Sequence, residues 1–370
     1  MKILFLAEKT FSASGGIEKV CRIAGRTMYE YAIASRGQFN MYARKDPPGI
    51  NTQPYLPSTV YRGFKSSGLS FISKGVRDGM KSNVVVLCSI RMLLPGYLIK
   101  LLSPNTKLLL FTHGIEAWET LSSYKQKMLR QMDNILVVSN YTKERISELL
   151  DIPAEKFAVL NHCFDPFLPE FTNSKRRNDF RSSYGLAEND IVLMTISRLS
   201  LKEKMKGYEK VMVAIKKLHN TYPHLKYVFV GKYDDDEKKQ LDRLVYALGI
   251  EYDVTFTGFV PDSVIGDYYN MADAFIVPGE KEGFGISLIE ALYYNKPVIA
   301  ERSNDVTVSP ESTSLGIQVD FQSQEEVTNA IQKVIGNIKA FMPDRKLVLE
   351  KFSYPVYKNT LGQLLDRCIT

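Results

Sequence analysis

The sequence predicts an α/β protein with two doubly wound parallel sheets. Short apolar runs alternate with segments of helical periodicity between residues 3 and 161. Polar, proline-punctuated chain then follows over residues 166–190, and the same alternation starts again at Ile191. Strands joined through helices form parallel sheets, because a parallel connection has to cross over the sheet. The 370 residues suffice for two such domains, with residues 166–190 as the expected linker.

The first half supplies six apolar runs that are bounded by turn residues or by helix starts. Strands are expected at Ile3–Ala7, Phe39–Ala43, Val84–Cys88, Lys107–Thr112, Asn134–Ser139 and Phe157–Asn161. Helices are expected from Gly15–Gly16 toward Tyr31 and near residues 69–80, 91–102, 119–132 and 140–150. No G-x-G-x-x-G follows the first strand, which argues against a dinucleotide-dependent oxidoreductase.

The second half repeats this organisation. Strands are expected at Ile191–Ile196, Tyr227–Gly231, Val254–Thr257, Ala274–Val277, Val298–Ala300 and Gly316–Val319. Helices are expected near residues 208–219, 236–248, 286–294, 324–341 and 343–351, with a final helix after Phe352.

The stretch from Met271 to Ala300 carries the strongest functional pattern. A buried strand ends at a glycine turn, and Glu282 and Glu290 flank the start of the next helix with seven residues between them. Glycines let a ligand approach the backbone, and a helix start offers free N–H donors. Eight helical residues span about 12 Å, so the two acids suit separate parts of one long ligand. For Glu282 alone, ordinary complementation of the helix dipole is an equal alternative.

This stretch reads P-x3-E-G-F-G-x4-E-A-x5-P-V and resembles the E-x7-E signature of retaining family-4 glycosyltransferases. The resemblance implies the GT-B fold, with two Rossmann-like domains facing a cleft. It implies an acceptor-binding domain over residues 1–168, joined by a C-terminal helix at about 355–370. It also implies a nucleotide-sugar-binding domain over residues 169–354, whose donor is a UDP- or GDP-sugar.

The resemblance also implies roles for the residues of this stretch. Glu282 and the backbone around Phe284 are expected to hold the transferred sugar, and Glu290 is expected to hold the ribose hydroxyls. The loop after the strand Val254–Thr257 is expected to contact the base. The donor-binding residues implied are Gly16, Phe259, Val260, Gly283, Phe284, Gly285, Ile286 and Glu290.

Basic residues follow the strand Ile191–Ile196. A cationic cluster at a strand end suits a diphosphate, whereas a solvated basic loop explains most of these lysines equally well. Arg198 and Lys206 match the R-L-x(n)-K-G pattern of the resembled family, which implies that they stabilise the leaving diphosphate. The acidic run Asp234–Asp236 superficially matches a D-x-D metal site, but it is expected to begin a helix, so no metal or other cofactor is predicted.

His113 ends the strand Lys107–Thr112, at the edge where ligands of open α/β sheets bind. A local hydrogen bond is the preferred explanation for a lone histidine at such a position. The resemblance of the segment Thr112–Glu116 to the H-G segment of the family implies a sugar contact instead. The glycine at position 16 is expected to lie against the donor diphosphate on the same ground.

Charge is distributed unevenly along the chain. Residues 1–165 contain 22 Lys and Arg against 13 Asp and Glu, a net charge of +9, while the remainder carries −2. The first half is therefore expected to meet an anionic lipid surface or a diphosphate-linked acceptor, although a merely solubilising excess is equally compatible. No motif supports nucleic acid. The segment Leu69–Lys81 is basic and amphipathic, which suits either an anionic membrane or a sheet-covering helix.

The predicted function is a retaining, metal-independent hexosyltransferase acting on a glycan or lipid-linked acceptor in surface polysaccharide or lipopolysaccharide assembly. Four cysteines without paired spacing favour a reducing compartment, so the expected location is cytoplasmic or peripheral on the inner membrane face. The catalytic residues implied are Arg198, Lys206, Glu282 and His113. The alternatives are a non-catalytic nucleotide-sugar-binding subunit and a GT-B nucleotide-sugar epimerase.

Overall fold

The computed structural model describes residues 1–113, 121–150, 152–171, 174–198, 207–279, 284–302 and 315–369. The chain forms two compact units. The first contains Met1–Phe167 and Phe352–Thr370, and the second contains Leu168–Lys351. The chain therefore leaves the first unit once and returns to it for the final helix.

The first unit is built on a seven-stranded parallel sheet, called sheet A here. Its strands are β1 Lys2–Ala7, β2 Gln38–Ala43, β3 Tyr61–Gly63, β4 Val84–Leu87, β5 Lys107–Thr112, β6 Asn134–Val137 and β7 Phe157–Val159. Its helices are α1 Gly16–Ala34, α2 Gly68–Gly79, α3 Leu93–Leu102, α4 Ser123–Arg130, α5 Asn140–Leu150 and the C-terminal helix Tyr354–Ile369. The strand order is β3-β2-β1-β4-β5-β6-β7, so the order reverses between β1 and β4.

The second unit contains a six-stranded parallel sheet, called sheet B. Its strands are β8 Ile191–Ile196, β9 Leu225–Val230, β10 Val254–Gly258, β11 Ala274–Val277, β12 Val298–Glu301 and β13 Ile317–Val319. Its helices are α6 Ser174–Ser183, α7 Tyr208–Leu218, α8 Asp235–Leu248, α9 Ile265–Met271, α10 Ile286–Tyr293, α11 Gln324–Gly336 and α12 Arg345–Phe352. The C-terminal helix Tyr354–Ile369 of the first unit is therefore α13. The order β10-β9-β8-β11-β12-β13 reverses between β8 and β11.

Both sheets thus have the doubly wound topology that the alternating sequence pattern predicts. The central strands are almost wholly buried, because helices cover both faces of a parallel sheet. In such sheets, ligands bind beyond the carboxyl ends of the strands where the strand order reverses. These positions are the β1/β4 junction in the first unit and the β8/β11 junction in the second.

The helix expected after the glycine turn is confirmed in detail. It covers Ile286–Tyr293 and begins after Gly285, whose φ is 73°. Asn295 adopts a φ of 56°, the left-handed conformation that commonly ends a helix, and Pro297 follows it. The acidic run is also where it was expected: Asp234 precedes the helix α8, and Asp235 and Asp236 lie in its first turn.

The expectation that residues 166–190 form the linker is wrong over Ser174–Ser183, which is the helix α6 of the second unit. The helix has no apolar stripe, and a buried arginine holds it instead. The guanidinium of Arg181 is 1% exposed and donates to Met271 O at 2.7 Å and to Asp273 Oδ2 at 2.6 Å. Charge pairing of this kind leaves no hydrophobic periodicity in the sequence.

The amphipathic segment around α2 covers the sheet with its apolar side. Phe71 is buried, and Ile72 and Val76 pack on the hydrophobic core of the first unit. Leu69 and Met80 are exceptions, with 86% and 42% of their surfaces exposed. None of the described helices has the length and apolar character needed to cross a bilayer.

Candidate functional site

The β8/β11 junction brings together two segments that the sequence analysis treated separately. Ser197 and Arg198 follow β8, and Pro278 and Gly279 follow β11. Strands β8 and β11 are hydrogen-bonded neighbours in sheet B, so both segments leave the sheet at the same edge. Arg198 is exposed there, as a ligand-binding cation has to be.

Gly207 joins this junction from the start of α7. It has a φ of 66°, and a Cβ on it would lie 3.5 Å from the Gly279 nitrogen and 3.6 Å from Pro278 Cβ. The last residue of the R-L…K-G segment therefore lies close to the residues at which the E-x7-E stretch begins. Lys206, Glu282 and Gly283 lie outside the described residues, so their predicted roles remain predictions.

Gly231 fixes the backbone beside Arg198. Its φ is 147°, and a Cβ on it would lie 1.8 Å from Ser197 O, which is far inside van der Waals contact. Only glycine allows this approach of the end of β9 to the end of β8. The Gly231 N–H also donates to Gly258 O at 3.0 Å, so the ends of β8, β9 and β10 are tied together.

The loop after β10 leads directly from this tied edge. Gly258 has a φ of 77°, and Phe259, the next residue, is 58% exposed. Val260 is half-buried. The two residues predicted to contact the base thus follow the strand end that Gly231 and Gly258 anchor.

The helix α10 presents its N-terminus at the same sheet edge, after β11. The first turn of a helix leaves backbone N–H groups without intrahelical partners, and these favour an anion or an oxygen-rich group. The side chain of Phe284 is buried at 4% exposure, so it anchors the turn while Gly285 and Ile286 begin the helix. This geometry suits the predicted contact of backbone amides with a donor.

Glu290 lies on the same helix, four residues after Ile286, and is only 3% exposed. Tyr269 on α9 donates its hydroxyl to Glu290 Oε2 at 2.9 Å, and its ring stacks on Tyr294 with centroids 5.0 Å apart. Burial and the neighbouring carboxylate raise the pKa of Tyr269 far above its ordinary value, so the hydroxyl keeps its proton and remains a donor. Sequence reasoning missed Tyr269, because nothing in a spacing of 21 residues pairs it with Glu290.

At the β1/β4 junction of the first unit, an acid organises the cations. Glu8, at the end of β1, pairs with Arg44 at 3.0 Å and with Lys45 and Arg91 at 2.8 Å each. Burial alone would raise the pKa of Glu8, but hydrogen bonds and Coulombic attraction from Lys45 and Arg91 outweigh it and lower the pKa to about 2. Three strand ends are thereby held by one carboxylate.

A second acid, Asp46, shapes the loop that leads to the predicted glycine contact. It is fully buried and accepts from Phe11 N at 2.7 Å, Ser12 Oγ at 2.6 Å and Tyr61 OH at 2.5 Å. Burial opposes ionisation, yet these hydrogen bonds lower its pKa below the ordinary value. The loop then reaches Gly16, where α1 begins at an exposed position, as expected.

His113 makes the local hydrogen bond that was the simpler explanation for it. Its Nε2 lies 2.7 Å from Cys88 O, and a carbonyl oxygen only accepts, so Nε2 carries the proton. Its ring also lies 5.8 Å from that of His162, a residue that sequence reasoning left without a role. Burial, and then the proximity of His113, lower the pKa of His162 far below the ordinary histidine value, so His162 is neutral. The predicted sugar contact of His113 stays a prediction.

Comparison with known proteins finds similarity to glycosyltransferases. Residues 176–340 match the family model of glycosyl transferases group 1. An uncharacterised glycosyltransferase of Methanocaldococcus jannaschii is 24% identical over 246 residues, which are 65% of this chain and 60% of the relative. The GDP-mannose-dependent α-(1-6)-phosphatidylinositol monomannoside mannosyltransferase of Mycobacterium tuberculosis is 27% identical over 256 residues, 64% of each chain. The matched region thus spans less than two thirds of these relatives.

A solved structure resembles the whole chain. The crystal structure of Anabaena HepE in complex with UDP and glucose has a TM-score of 0.81 and 20% sequence identity, and it covers 99% of this chain and 100% of that one. The resemblance at this identity concerns the fold, and it confirms the predicted pair of Rossmann-like domains. Residues 176–340 are therefore similar to glycosyl transferases group 1, within a chain that has the GT-B fold.

Proposed function

We propose that this protein is a retaining glycosyltransferase that moves a hexose from a UDP- or GDP-sugar to a glycan or lipid-linked acceptor. The observation that carries the proposal is the close approach of Gly207 to Pro278 and Gly279. It joins the cationic segment after β8 to the glycine turn and helix start after β11. A diphosphate needs cations and a sugar needs hydrogen-bonding groups, and this junction provides both.

Charge stabilisation at this junction is the proposed source of catalysis. Arg198 and Lys206 neutralise the charge that develops on the departing diphosphate, and the N-terminus of α10 adds its dipole. A guanidinium presents donors in a fork that matches phosphate oxygens. The chain needs no metal in this proposal, because the two cations replace it.

The two glutamates hold different parts of the donor. Glu282 and the backbone of residues 283–286 bind the transferred sugar, and Glu290 binds the ribose hydroxyls. The hydrogen bond from Tyr269 supports the second role, since it fixes one carboxylate oxygen of Glu290. The acceptor hydroxyl attacks from the face that the diphosphate leaves, and a diphosphate oxygen takes its proton, which retains the anomeric configuration.

The first unit is proposed to bind the acceptor. Its net positive charge suits a phosphorylated or diphosphate-linked glycan, and the mannosyltransferase of M. tuberculosis acts on a phosphatidylinositol mannoside. We place the reaction in surface polysaccharide or lipopolysaccharide assembly, in the cytoplasm or at the inner face of its membrane.

The first experiment is a calorimetric titration with UDP, GDP and their hexose conjugates, in the presence and absence of EDTA. One nucleotide is expected to bind more tightly than the other, and EDTA is expected to leave its affinity unchanged. Binding that disappears with EDTA contradicts the metal-free proposal. Products of an active donor–acceptor pair are then examined by NMR, where an inverted anomeric proton contradicts retention.

The second experiment tests the site by turnover. Arg198→Ala is expected to lower kcat by about a hundredfold or more, which is the usual effect of removing one group that stabilises developing charge. Glu282→Ala should lower transfer similarly, and Lys217→Ala, on the far end of α7, should not. Turnover that survives both site substitutions refutes the assignment. If the parent protein binds nucleotide but turns over no donor, it is the non-catalytic nucleotide-sugar-binding subunit.

A further inference from the structure

A pocket of about 580 Å³ lies at the outer edge of sheet A, on the side of β3. Its walls come from the strands β2 and β3, the loop after β2, the chain before β3 and the first half of α2. The polar lining residues include Asn40, Tyr42, Thr59, Arg62, Ser70 and Lys74. The volume falls within the usual range of small-molecule sites.

The charge of the wall is one-sided. Arg62 and Lys74 line the pocket, and no Asp or Glu does. A pocket of about 660 Å³ at the β10 edge of sheet B also has two cations in its wall, but Asp242 and Glu251 accompany them. Of these two pockets, only the pocket of sheet A has cations but no acid in its wall.

Lys74 is held in place by a carboxylate that is not part of the wall. Its Nζ lies 3.0 Å from Asp78 Oδ2, and Tyr42 OH donates to the same oxygen at 2.5 Å. Burial and Asp78 raise the pKa of Tyr42 far above its ordinary value, so this hydroxyl stays a donor. An ammonium has three N–H donors, and the pairing with Asp78 leaves it able to bind a ligand oxygen as well.

Arg62 is oriented by an aromatic ring. Its guanidinium carbon lies 5.3 Å from the centroid of the Phe64 ring, a cation–π arrangement, and the side chain is exposed. Within the described ranges, no carboxylate pairs with it. A guanidinium held in this way can present two parallel N–H donors to a phosphate or a carboxylate.

The remaining wall suits a sugar. Asn40, Thr59 and Ser70 supply an amide and two hydroxyls, which both donate and accept hydrogen bonds. Tyr61 and Phe64 add aromatic surface, against which the apolar face of a sugar ring can pack. Polar groups around an apolar floor are the composition expected of a site that orients a small polar ligand.

The surrounding chain reinforces the positive field. From residue 58 to residue 79, a range that covers β3 and α2, the sequence contains four Lys and Arg and a single acid, which is Asp78. Clustered charge of one sign raises the local concentration of oppositely charged ligands. Both the wall of the pocket and its neighbourhood thus select for an anion.

The pocket is linked to the β1/β4 junction through one side chain. Tyr61, in its wall, donates to Asp46 Oδ2 at 2.5 Å, and Asp46 also holds the loop at Thr10 and Phe11. A ligand in the pocket therefore contacts the same hydrogen-bonded unit that shapes the loop after β1. The pocket is thus connected to the β1/β4 junction, the position at which ligands of such sheets bind.

We propose that this pocket binds an anionic saccharide, bearing a phosphate or a carboxylate, and serves as an acceptor subsite away from the reacting hydroxyl. Arg62 and Lys74 bind the acidic group, while Asn40, Thr59 and Ser70 bind hydroxyls. The assignment of the saccharide to the acceptor rests on the proposed function. The binding itself does not, because it needs neither donor nor turnover.

The test is a titration of the full chain, followed by calorimetry, with glucose 6-phosphate, glucuronate, inorganic phosphate and methyl glucoside. The two acidic sugars are expected to bind, and to bind more tightly than phosphate or the neutral glucoside. Arg62→Met and Lys74→Gln should each weaken this binding by about tenfold or more, as expected for hydrogen bonds to a charged group. Arg77→Met is the matched control on α2, outside the wall, and should change the affinity less than twofold.

Four outcomes overturn the proposal. The first is acidic sugars that bind no better than the neutral glucoside, and the second is binding that Arg62→Met and Lys74→Gln leave intact in folded protein. The third is an affinity for phosphate equal to that for glucose 6-phosphate, since this defines a plain anion site. Binding only to vesicles of phosphatidylglycerol likewise refutes a saccharide pocket and favours a membrane contact at these residues.

The proposed function and the proposed pocket are tested by separate measurements. Nucleotide binding in the parent protein reports on the second unit, while binding of acidic sugars reports on this pocket. Sugar binding without any nucleotide binding supports the pocket and contradicts the glycosyltransferase proposal. Nucleotide-sugar turnover without sugar binding at the pocket does the reverse.

Discussion

The two sheet edges are built in different ways. The edge of sheet A is held by side-chain charge: Glu8 joins three cations, and Asp46 joins a loop to a tyrosine. The edge of sheet B is held by the backbone, through glycines whose positive φ angles other residues rarely adopt. These are Gly207, Gly231, Gly258, Gly279 and Gly285. At the edge of sheet A, carboxylates position the cations. At the edge of sheet B, glycines leave backbone amides exposed to a ligand.

This difference has consequences for what each edge binds. Three cations surround the single carboxylate of Glu8, so the first unit keeps a positive edge that suits anionic groups. A glycine-built edge has no side chains in the way, so a ligand reaches the backbone and the helix start directly. The comparison predicts that steric clashes destabilise the edge of sheet B, whereas a fall in pH destabilises the edge of sheet A.

The largest effect is expected for Gly231→Ala. A methyl group placed 1.8 Å from Ser197 O forces the ends of β8 and β9 apart, and we expect the free energy of unfolding to fall by about 3 kcal/mol or more. Urea denaturation measures this. Gly185→Ala is the matched control: its φ is 68°, but a Cβ there meets nothing within 4 Å, so it should cost about 1 kcal/mol. Equal losses in the two variants would show that φ alone matters.

An intermediate effect is expected for Glu8→Gln. The pKa of Glu8 lies near 2 in the folded protein and near 4.5 in the unfolded chain, so the carboxylate stabilises the fold above pH 4.5. This contribution, about 2 kcal/mol after allowance for solvent, is lost as the pH falls from 4.5 through 2. Unfolding free energies measured between pH 2 and pH 7 should show a shallower pH dependence in Glu8→Gln than in the parent.

The control for that change is Glu350→Gln. Its carboxylate is 59% exposed and lies 3.8 Å from Lys346 on the surface, so the substitution should change stability by less than about 0.5 kcal/mol. A parent protein whose stability is flat between pH 2 and pH 5 would contradict the view that charge holds the edge of sheet A.

The smallest effect is expected for Tyr269→Phe, which removes one polar contact from the glycine-built edge. Losing the donor to buried Glu290 should cost about 1.5 kcal/mol of stability. If Glu290 binds ribose, the same change weakens nucleotide binding, which calorimetry with UDP and GDP measures. Tyr246→Phe, at a tyrosine that is 78% exposed, should affect neither quantity. Unchanged nucleotide affinity in Tyr269→Phe would separate Glu290 from the donor site.

Much of the fold follows from local signals in the sequence. The run Ala274–Val277, the glycine turn and the stop at Asn295 each have a local physical cause, and the structure has all three. The strand β3 was missed because three residues are too few for a periodic pattern. The helix α6 was missed because Arg181, and not an apolar stripe, holds it in place.

The sequence by itself determined most of the strands and helices, the glycine turn before α10 and which half of the chain is basic. These properties depend on neighbours along the chain or on composition alone. Only the tertiary structure decided that Gly207 meets Gly279, that Tyr269 meets Glu290 and that Arg62 and Lys74 share a pocket. Such meetings depend on strand order and helix packing, and no local pattern records which distant residues the sheet brings together.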